Sequence, residues 1–199
     1  MSLTWLIIAV ALFAAFGPLF WMMPSRSDRR LAKMRTRARS HGIHVEITQL
    51  DDLAAEPHAR VNSAGVKLEP KVMCAAYRLG MQRLAKAAPR WQILRKAGAN
   101  DGPIDGWTWA SRPAGDSTYW QRVGEVLREL PSDALACATD ASEVACWWRE
   151  RATAQDAEAS VDRLHDVLQN LAEIQLLADA AATALDASDD PVGDASTRQ

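Results

Sequence analysis

The chain has 199 residues with 23 basic and 25 acidic side chains, and its formal net charge of −2 excludes a generally basic protein of the kind that binds nucleic acid. The charge is unevenly distributed, since residues 1–40 carry seven basic and one acidic side chain and residues 151–199 carry three basic and ten acidic ones. The three cysteines, Cys74, Cys137 and Cys146, are an odd number without CxxC spacing, which excludes a disulfide framework.

The first predicted element is a transmembrane helix at residues 3–23. This stretch holds only apolar or small residues, and its length is sufficient to cross a hydrocarbon core of about 30 Å. No Lys or Arg precedes it, and the bulky residues Phe20, Trp21, Met22 and Met23 stand where cleavage of a signal peptide needs small ones. A retained membrane anchor is therefore favoured over a cleaved signal peptide.

Residues 24–41 are predicted to form a basic juxtamembrane helix, capped by Ser27 or Asp28 and ended by Gly42. Because the basic charge follows the span, the positive-inside rule predicts a single-pass inner-membrane protein with its N-terminus outside and its C-terminal domain in the cytoplasm. The charges either only fix this topology or also contact the anionic head groups of the lipid bilayer. The predicted membrane-surface residues are Arg26, Arg29, Arg30, Lys33, Arg35, Arg37 and Arg39.

Residues 42–185 are predicted to form one cytosolic α+β domain, a mainly antiparallel sheet of about five or six strands with two packed helices. Residues 186–199 are acidic and small, as is typical of a disordered tail. The alternating and apolar runs predict strands at 43–50, 71–79, 90–95, 106–111, 134–138 and 144–150, and the helical periodicity predicts helices at 117–130 and 155–185.

Three groups of residues have side chains that could form a chemical site. His41 and His44 have the spacing of a metal-binding pair on a helix, but Gly42 and the strand that follows favour no metal site. Cys137 and Cys146 face each other across a predicted hairpin, either as a redox pair or as small buried side chains, and a reducing compartment favours the second. His165 lies beside Asp162 and Asp166, an arrangement typical of a solvated helix face.

Phosphate-binding glycine loops are absent from the sequence. We therefore predict no catalytic residue, cofactor-binding residue or metal ligand, and no enzymatic activity.

Tryptophans are the candidate protein contacts, because tryptophan is enriched among the hot-spot residues of protein–protein interfaces. Trp147 and Trp148 are consecutive, so on a strand they point to opposite faces. Trp107, Trp109 and Trp147 are the predicted contacts. The long helix at 155–185 is expected to pack on the sheet, with self-association as a coiled coil or docking onto another protein as alternatives.

The N-terminal region resembles one known family. An apolar span that runs into Pro24-Ser25-Arg26-Ser27-Asp28-Arg29-Arg30 and a basic helix, over residues 3–40, is similar to the YajC subunit of the bacterial Sec preprotein translocase. The resemblance implies a non-enzymatic accessory of the SecDF–YidC machinery. The segment Gly42–Ile47 departs from the family's glycine-rich turn, and no functional residue is carried over.

These observations predict a non-catalytic single-pass membrane protein that serves as an accessory or scaffold subunit of an inner-membrane assembly, in its most specific form one related to the translocase. Its partners are then the lipid bilayer and a membrane protein. The alternative is a membrane-tethered cytosolic binding module for a small ligand or a lipid head group. A membrane-anchored enzyme, the third hypothesis, would need a concave site with perturbed titratable groups.

Overall fold

The computed structural model describes residues 5, 25–52, 65–66, 70–111, 113, 116–151 and 156–188. Within these ranges the structure defines the bounds of three helices and six strands. In chain order they are α1 (Arg26–Ser40), β1 (His44–Asp51), β2 (Lys71–Gly80), β3 (Trp91–Arg95), β4 (Trp107–Ser111), α2 (Ser117–Leu127), β5 (Ala134–Thr139), β6 (Glu143–Trp148) and α3 (Ala157–Ser188).

The six strands form one sheet in the order β1-β2-β6-β5-β3-β4, and every neighbouring pair is antiparallel. β1 pairs with β2 without interruption from His44 opposite Arg78 to Asp51 opposite Lys71. The hairpin of β5 and β6 lies between β2 and β3, so the two central strands of the sheet come from a segment late in the chain. The strand number agrees with the predicted five or six.

The three helices pack on one face of this sheet, which we call the inner face. One hydrophobic cluster combines Met34 of α1, Val123 of α2 and Leu168 of α3 with Tyr77 and Cys146 of the sheet. The long helix α3 therefore packs on the sheet, as expected, and it lies between α1 and α2, contacting both. The apolar row along α3 is buried in the first half of the helix and exposed near its end. Val161, Leu164, Leu168 and Leu171 are buried, whereas Ala181 and Leu185 are exposed.

A buried polar chain ties the loop before β3 to α2 and α3. The Trp91 indole N–H donates to the Tyr119 hydroxyl at 2.7 Å, and that hydroxyl donates to Gln175 Oε1 at 2.6 Å. The Gln175 amide in turn donates to the Pro89 carbonyl at 2.6 Å. Gln175, which is fully buried, thus has partners for both ends of its amide, as a buried polar side chain requires.

The predicted transmembrane topology is not supported. Residues 3–23 lie outside the described residues except for Trp5. In the part of the chain that the structure describes, no helix combines the length and the apolar character needed to span a membrane. The physical reason is their charge, since α1 is strongly basic and α3 carries acidic side chains along its length. This finding contradicts both the fold prediction that included an N-terminal transmembrane helix and the single-pass inner-membrane localisation.

The basic helix is present, but its environment differs from the prediction. Ser25 caps α1 through a reciprocal capping box with Asp28, where Ser27 or Asp28 was expected to be the cap. Met34 and Ala38 are buried, and α1 packs on α3 and β1. The sheet is therefore covered by three described helices instead of the predicted two. The predicted tail begins at Asp186, but α3 continues to Ser188, and residues 189–199 lie outside the described part.

Candidate functional site

The predicted membrane-surface residues fall into two groups. Arg30, Arg35 and Arg37 reach across to other parts of the fold: Arg30 and Arg35 contact Glu150, and Arg37 contacts Asp162. The other four, Arg26, Arg29, Lys33 and Arg39, have exposed side chains. Contact with anionic head groups stays a prediction, and at least three of its seven residues are engaged in contacts within the domain.

Glu150 is the centre of a buried cluster that the sequence did not indicate. Arg35 Nε and Nη2 donate to its two carboxylate oxygens at 3.0 and 2.6 Å, and the Tyr77 hydroxyl donates to Oε1 at 2.9 Å. The pKa of Tyr77 is raised, first by burial and second by the charge of the Glu150 carboxylate. The pKa of Arg35 is raised mainly by its hydrogen bond to Glu150. Glu150 is 5% exposed and has a φ of 56°, a conformation that side chains other than glycine seldom adopt.

The Glu150 cluster joins α1 to the end of β6. Its carboxylate already accepts three hydrogen bonds, so its oxygens are occupied by the protein itself. The arrangement therefore orients structural elements, as a buried and fully paired carboxylate does. Glu150 is the last residue of the strand predicted at 144–150, and no local pattern in the sequence indicates its partners.

His41 and His165 stack against each other, with ring centroids 4.2 Å apart. His41 Nε2 lies 2.7 Å from Asp162 Oδ1, and Arg37 donates twice to the same carboxylate. The hydrogen bond from Arg37 lowers the pKa of Asp162. Among the described residues no group of three or more His, Cys, Asp or Glu side chains has an arrangement that could hold a metal ion. His44, the other histidine considered for a metal-binding pair, is exposed on β1.

Cys137 and Cys146 are direct cross-strand partners in β5 and β6, so their predicted juxtaposition is confirmed. Both are free thiols, as is Cys74. Burial raises the pKa of Cys137 to about 12 and raises that of Cys146 well above its ordinary value. Because the thiolate is the nucleophile and the redox-active form, these side chains behave as small buried hydrophobic groups.

The three tryptophans predicted as protein contacts occupy different environments. Trp107 is 1% exposed within the core, where the Arg95 guanidinium lies 4.6 Å from its ring centroid. Trp109 is partly buried and packs edge-on against Trp120, with 4.8 Å between centroids. Trp147 alone of the three lies on the sheet face opposite the helices. Protein contact by any of them stays a prediction, and burial leaves Trp107 without a surface to offer.

The sheet face opposite the helices, which we call the outer face, is centred on Trp147. Its direct cross-strand partners are Ala76 of β2 and Ala136 of β5, so the indole lies between two small side chains. Ala76, Ala136 and Ala145 are buried but do not belong to the hydrophobic cluster to which the three helices contribute. Trp148, the next residue, points into that cluster, as the alternation of a strand requires.

A charged rim borders Trp147 on one side. The guanidinium of Arg78 lies over the indole ring, 5.7 Å from its centroid. Arg78 also donates to Glu143 and lies 3.8 Å from a carboxylate oxygen of Glu46. This arrangement fixes the Arg78 side chain over the ring and presents a half-buried aromatic surface beside it.

A cavity of about 900 Å³ opens at the end of the sheet near the first turns of α3. We call it the sheet-end cavity. Leu50, Arg95, Asp133, Trp148, Arg149 and Arg163 are among the residues that line it. These residues come from β1, β3, the loop before β5, β6, the segment that follows β6, and α3. No local sequence pattern therefore indicated the cavity.

Comparisons with known proteins add little to this geometry. No family model matches the chain, and no curated protein matches it. One solved structure, that of the mycobacterial trehalose monomycolate transport factor A, is similar with a TM-score of 0.34 and 14% sequence identity, covering 69% of this chain and 93% of that one. A similarity this distant carries no argument about fold or function. The resemblance of residues 3–40 to the translocase subunit stays a prediction.

Proposed function

We propose that the protein is a non-catalytic accessory or scaffold subunit that binds a protein partner on the outer face of its sheet. The observation that carries this proposal is the position of Trp147, half-buried between Ala76 and Ala136 on the face that the described helices do not cover.

Strand composition supports the outer face as a contact surface. An antiparallel sheet with one solvated face normally alternates apolar and polar residues. In β2, β5 and β6 the outward positions around Trp147 instead hold Cys74, Ala76, Ala136 and Ala145, and the charged pair of Arg78 and Glu143 lies at the border of this group. Cys74, Ala76, Ala136 and Ala145 are already buried, so the part of this apolar face that a partner protein can contact is the half-buried Trp147.

The chemistry of the outer face also fits a protein partner. Trp and Arg are the residue types that most often dominate binding energy at interfaces, and here Arg78 lies over Trp147. The exposed edge of the Trp147 ring, with Arg78 beside it, is the surface against which an aliphatic or aromatic side chain of the partner can pack. Glu46 and Glu143 hold Arg78 in place, so little side-chain entropy is lost on binding.

The non-catalytic part of the proposal rests on the nucleophile candidates. The raised pKa of Cys137 and Cys146 keeps both thiols protonated, and the carboxylates of Glu150 and Asp162 are occupied by arginine. These four side chains thus each have a packing or pairing role in the fold.

Affinity purification from native cells tests this function. The tagged full chain, Trp147→Ala and the control Leu177→Ala are each purified, and co-purifying proteins are quantified by mass spectrometry. Leu177 is a suitable control because it is 61% exposed on α3, away from the sheet. Truncation of a central tryptophan weakens binding by about 2 kcal/mol, or about 30-fold in Kd. We expect one protein to be lost with Trp147→Ala and retained with Leu177→Ala; equal recovery from all three would contradict the proposal.

A further inference from the structure

The strand β1 is an open edge of the sheet. It stands at the end of the strand order, and among the described residues no strand pairs with its other side. None of its eight residues is buried, whereas four consecutive residues of its neighbour β2 are. An edge strand presents a row of backbone N–H and C=O groups that can pair with another extended segment. β1 is therefore a position at which a further strand can be added to the sheet.

The sequence of β1 lacks several features that protect edge strands from pairing. Natural edges are commonly protected by proline, lysine, a β-bulge or a short length. β1 contains neither proline nor lysine, and its pairing with β2 runs over eight residues without a register shift. The opposite edge strand, β4, has five residues, and its pairing with β3 is interrupted by a register shift between Gln92 and Ile93. Of the two edges, β1 is therefore the long and regular one.

Exposed apolar side chains lie along this edge. Val45 pairs with Tyr77 and Ile47 pairs with Ala75, so both β1 side chains lie on the inner face of the sheet. Ile47 is 57% exposed, and Met73, on the same face of β2, is 58% exposed. When a strand is added to a sheet, main-chain hydrogen bonds supply affinity and the side chains beside them supply specificity. The edge of β1 offers both kinds of contact.

We propose that β1 pairs antiparallel with β1 of a second copy of this chain, so that two six-stranded sheets become one continuous sheet. The two-fold axis passes between the two Ile47 residues, which places Ile47 opposite Ile47 and Val45 opposite Gln49. Because opposite residues of an antiparallel pair lie on the same face, this register joins the exposed apolar side chains of both copies. The contact is isologous, as expected for a two-fold dimer.

The charges of β1 make the strand complementary to itself in this register. Centring the pair on Glu46 would place two carboxylates opposite each other, which is destabilising, and centring it on Thr48 would place Val45 opposite Asp51. In the register centred on Ile47, Glu46 lies opposite Thr48 and Asp51 lies at the end of the pairing. Both copies then present their outer faces on the same side of the continuous sheet, so the dimer leaves those faces free and does not depend on the proposed protein partner.

Disulfide trapping of the full chain tests the register. Ile47→Cys and the matched control Gln49→Cys, on the same face of the same strand, are oxidised in fresh lysate and separated on non-reducing gels. The two Cβ atoms at position 47 would lie about 5 Å apart, whereas the two residues at position 49 would be offset by about 13 Å along the strands. We expect a disulfide dimer from Ile47→Cys and none from Gln49→Cys or from wild type, whose cysteines are buried. No dimer from Ile47→Cys, or equal dimer from both variants, would overturn the proposal.

Light scattering after size exclusion measures the association without a crosslink. We expect the full chain to reach twice the monomer mass as its concentration rises, and Ile47→Glu to weaken dimerisation by about tenfold or more. Leu177→Glu, at a residue that is 61% exposed on α3, and Trp147→Ala should both leave dimerisation unchanged, which separates this test from that of the outer face. Thermal unfolding checks that each variant is folded. A monomer at every concentration, or dimerisation undiminished by Ile47→Glu, would overturn the proposal.

Discussion

Arg35 of α1 and Glu150, two residues beyond the end of β6, form a bidentate ion pair with a shortest N···O distance of 2.6 Å. The two residues are 115 positions apart in the chain, so the pair connects the first described helix to the centre of the sheet. Tyr77 completes the cluster from β2. The basic helix is thereby an integral part of the folded domain.

Removal of one partner from this cluster should be costly. Arg35→Ala leaves the Glu150 carboxylate buried with Tyr77 as its remaining side-chain donor, and breaking a buried pair in this way costs about 3 kcal/mol. Urea denaturation measures the change in the free energy of unfolding. Arg39→Ala, an exposed arginine of the same helix, is the control and should change it by less than about 0.5 kcal/mol. Equal effects of the two substitutions would contradict the role assigned to Glu150.

Gly102 should not tolerate a side chain. A Cβ atom at this position would lie 2.4 Å from the backbone oxygen of Trp107, so the chain before β4 would have to move. We expect Gly102→Ala to lower the free energy of unfolding by about 2 kcal/mol, as overpacking does.

Gly80→Ala is the matched control for this substitution, because nothing lies within 4 Å of its added Cβ and its φ needs no glycine. Thermal denaturation of both variants compares them directly. A smaller loss of stability for Gly102→Ala than for Gly80→Ala would show that the close approach to Trp107 is wrong.

The cysteines should resist modification in the folded protein. Because burial raises the pKa of Cys137 to about 12, its thiolate fraction at pH 8 is very small, and Cys146 follows the same reasoning. Incubation with iodoacetamide followed by mass spectrometry should find both unmodified in the native state and all three cysteines modified in guanidinium chloride. Rapid native labelling of Cys137 would contradict the burial of β5.

Asp162 should contribute to stability above its unfolded pKa of about 3.9. Its pKa is lowered in the folded state, chiefly by the hydrogen bond from Arg37, so the contribution is present near neutral pH and is lost as the pH falls through the lowered value. Since the pair is partly exposed, Asp162→Asn should cost less than about 1 kcal/mol at pH 7.

Denaturation of wild type and Asp162→Asn at several pH values measures this contribution. The difference between them should shrink as the pH falls below 4, whereas Asp166→Asn, at an exposed carboxylate, should show little difference at any pH. If the difference in free energy of unfolding between wild type and Asp162→Asn instead grew as the pH fell, the lowered pKa assigned to Asp162 would be contradicted.

Sequence periodicity predicted the positions of helices and strands better than it predicted which of their side chains are buried and how the strands pair. The alternation from Ile43 predicted β1 within one residue, yet Ile47 is 57% exposed because the apolar row extends beyond the cover of the helices. Hydropathy of residues 3–23 led to a membrane topology that the described helices contradict. Strand order could not be predicted, because placing β6 beside β2 depends on packing between distant segments.

For the site residues, too, the sequence predicted orientation along a strand but not contacts between distant segments. The opposite orientations of Trp147 and Trp148 follow from the two-residue period of a strand, and the structure confirms them. The sheet-end cavity has no local sequence signal, because residues from distant segments line it and only the fold brings them together. The contacts of Glu150 with Tyr77 and Arg35 span 73 and 115 residues, so no local pattern could predict them.

Site-specific photo-crosslinking in native cells tests the central claim most directly. A photoreactive phenylalanine derivative replaces Trp147 in one variant and Leu177 in another, and the crosslinked products are identified by mass spectrometry. The account predicts a single dominant protein adduct from position 147 that is absent from position 177. No adduct from position 147, or the same adducts from both positions, would contradict a protein-binding outer face.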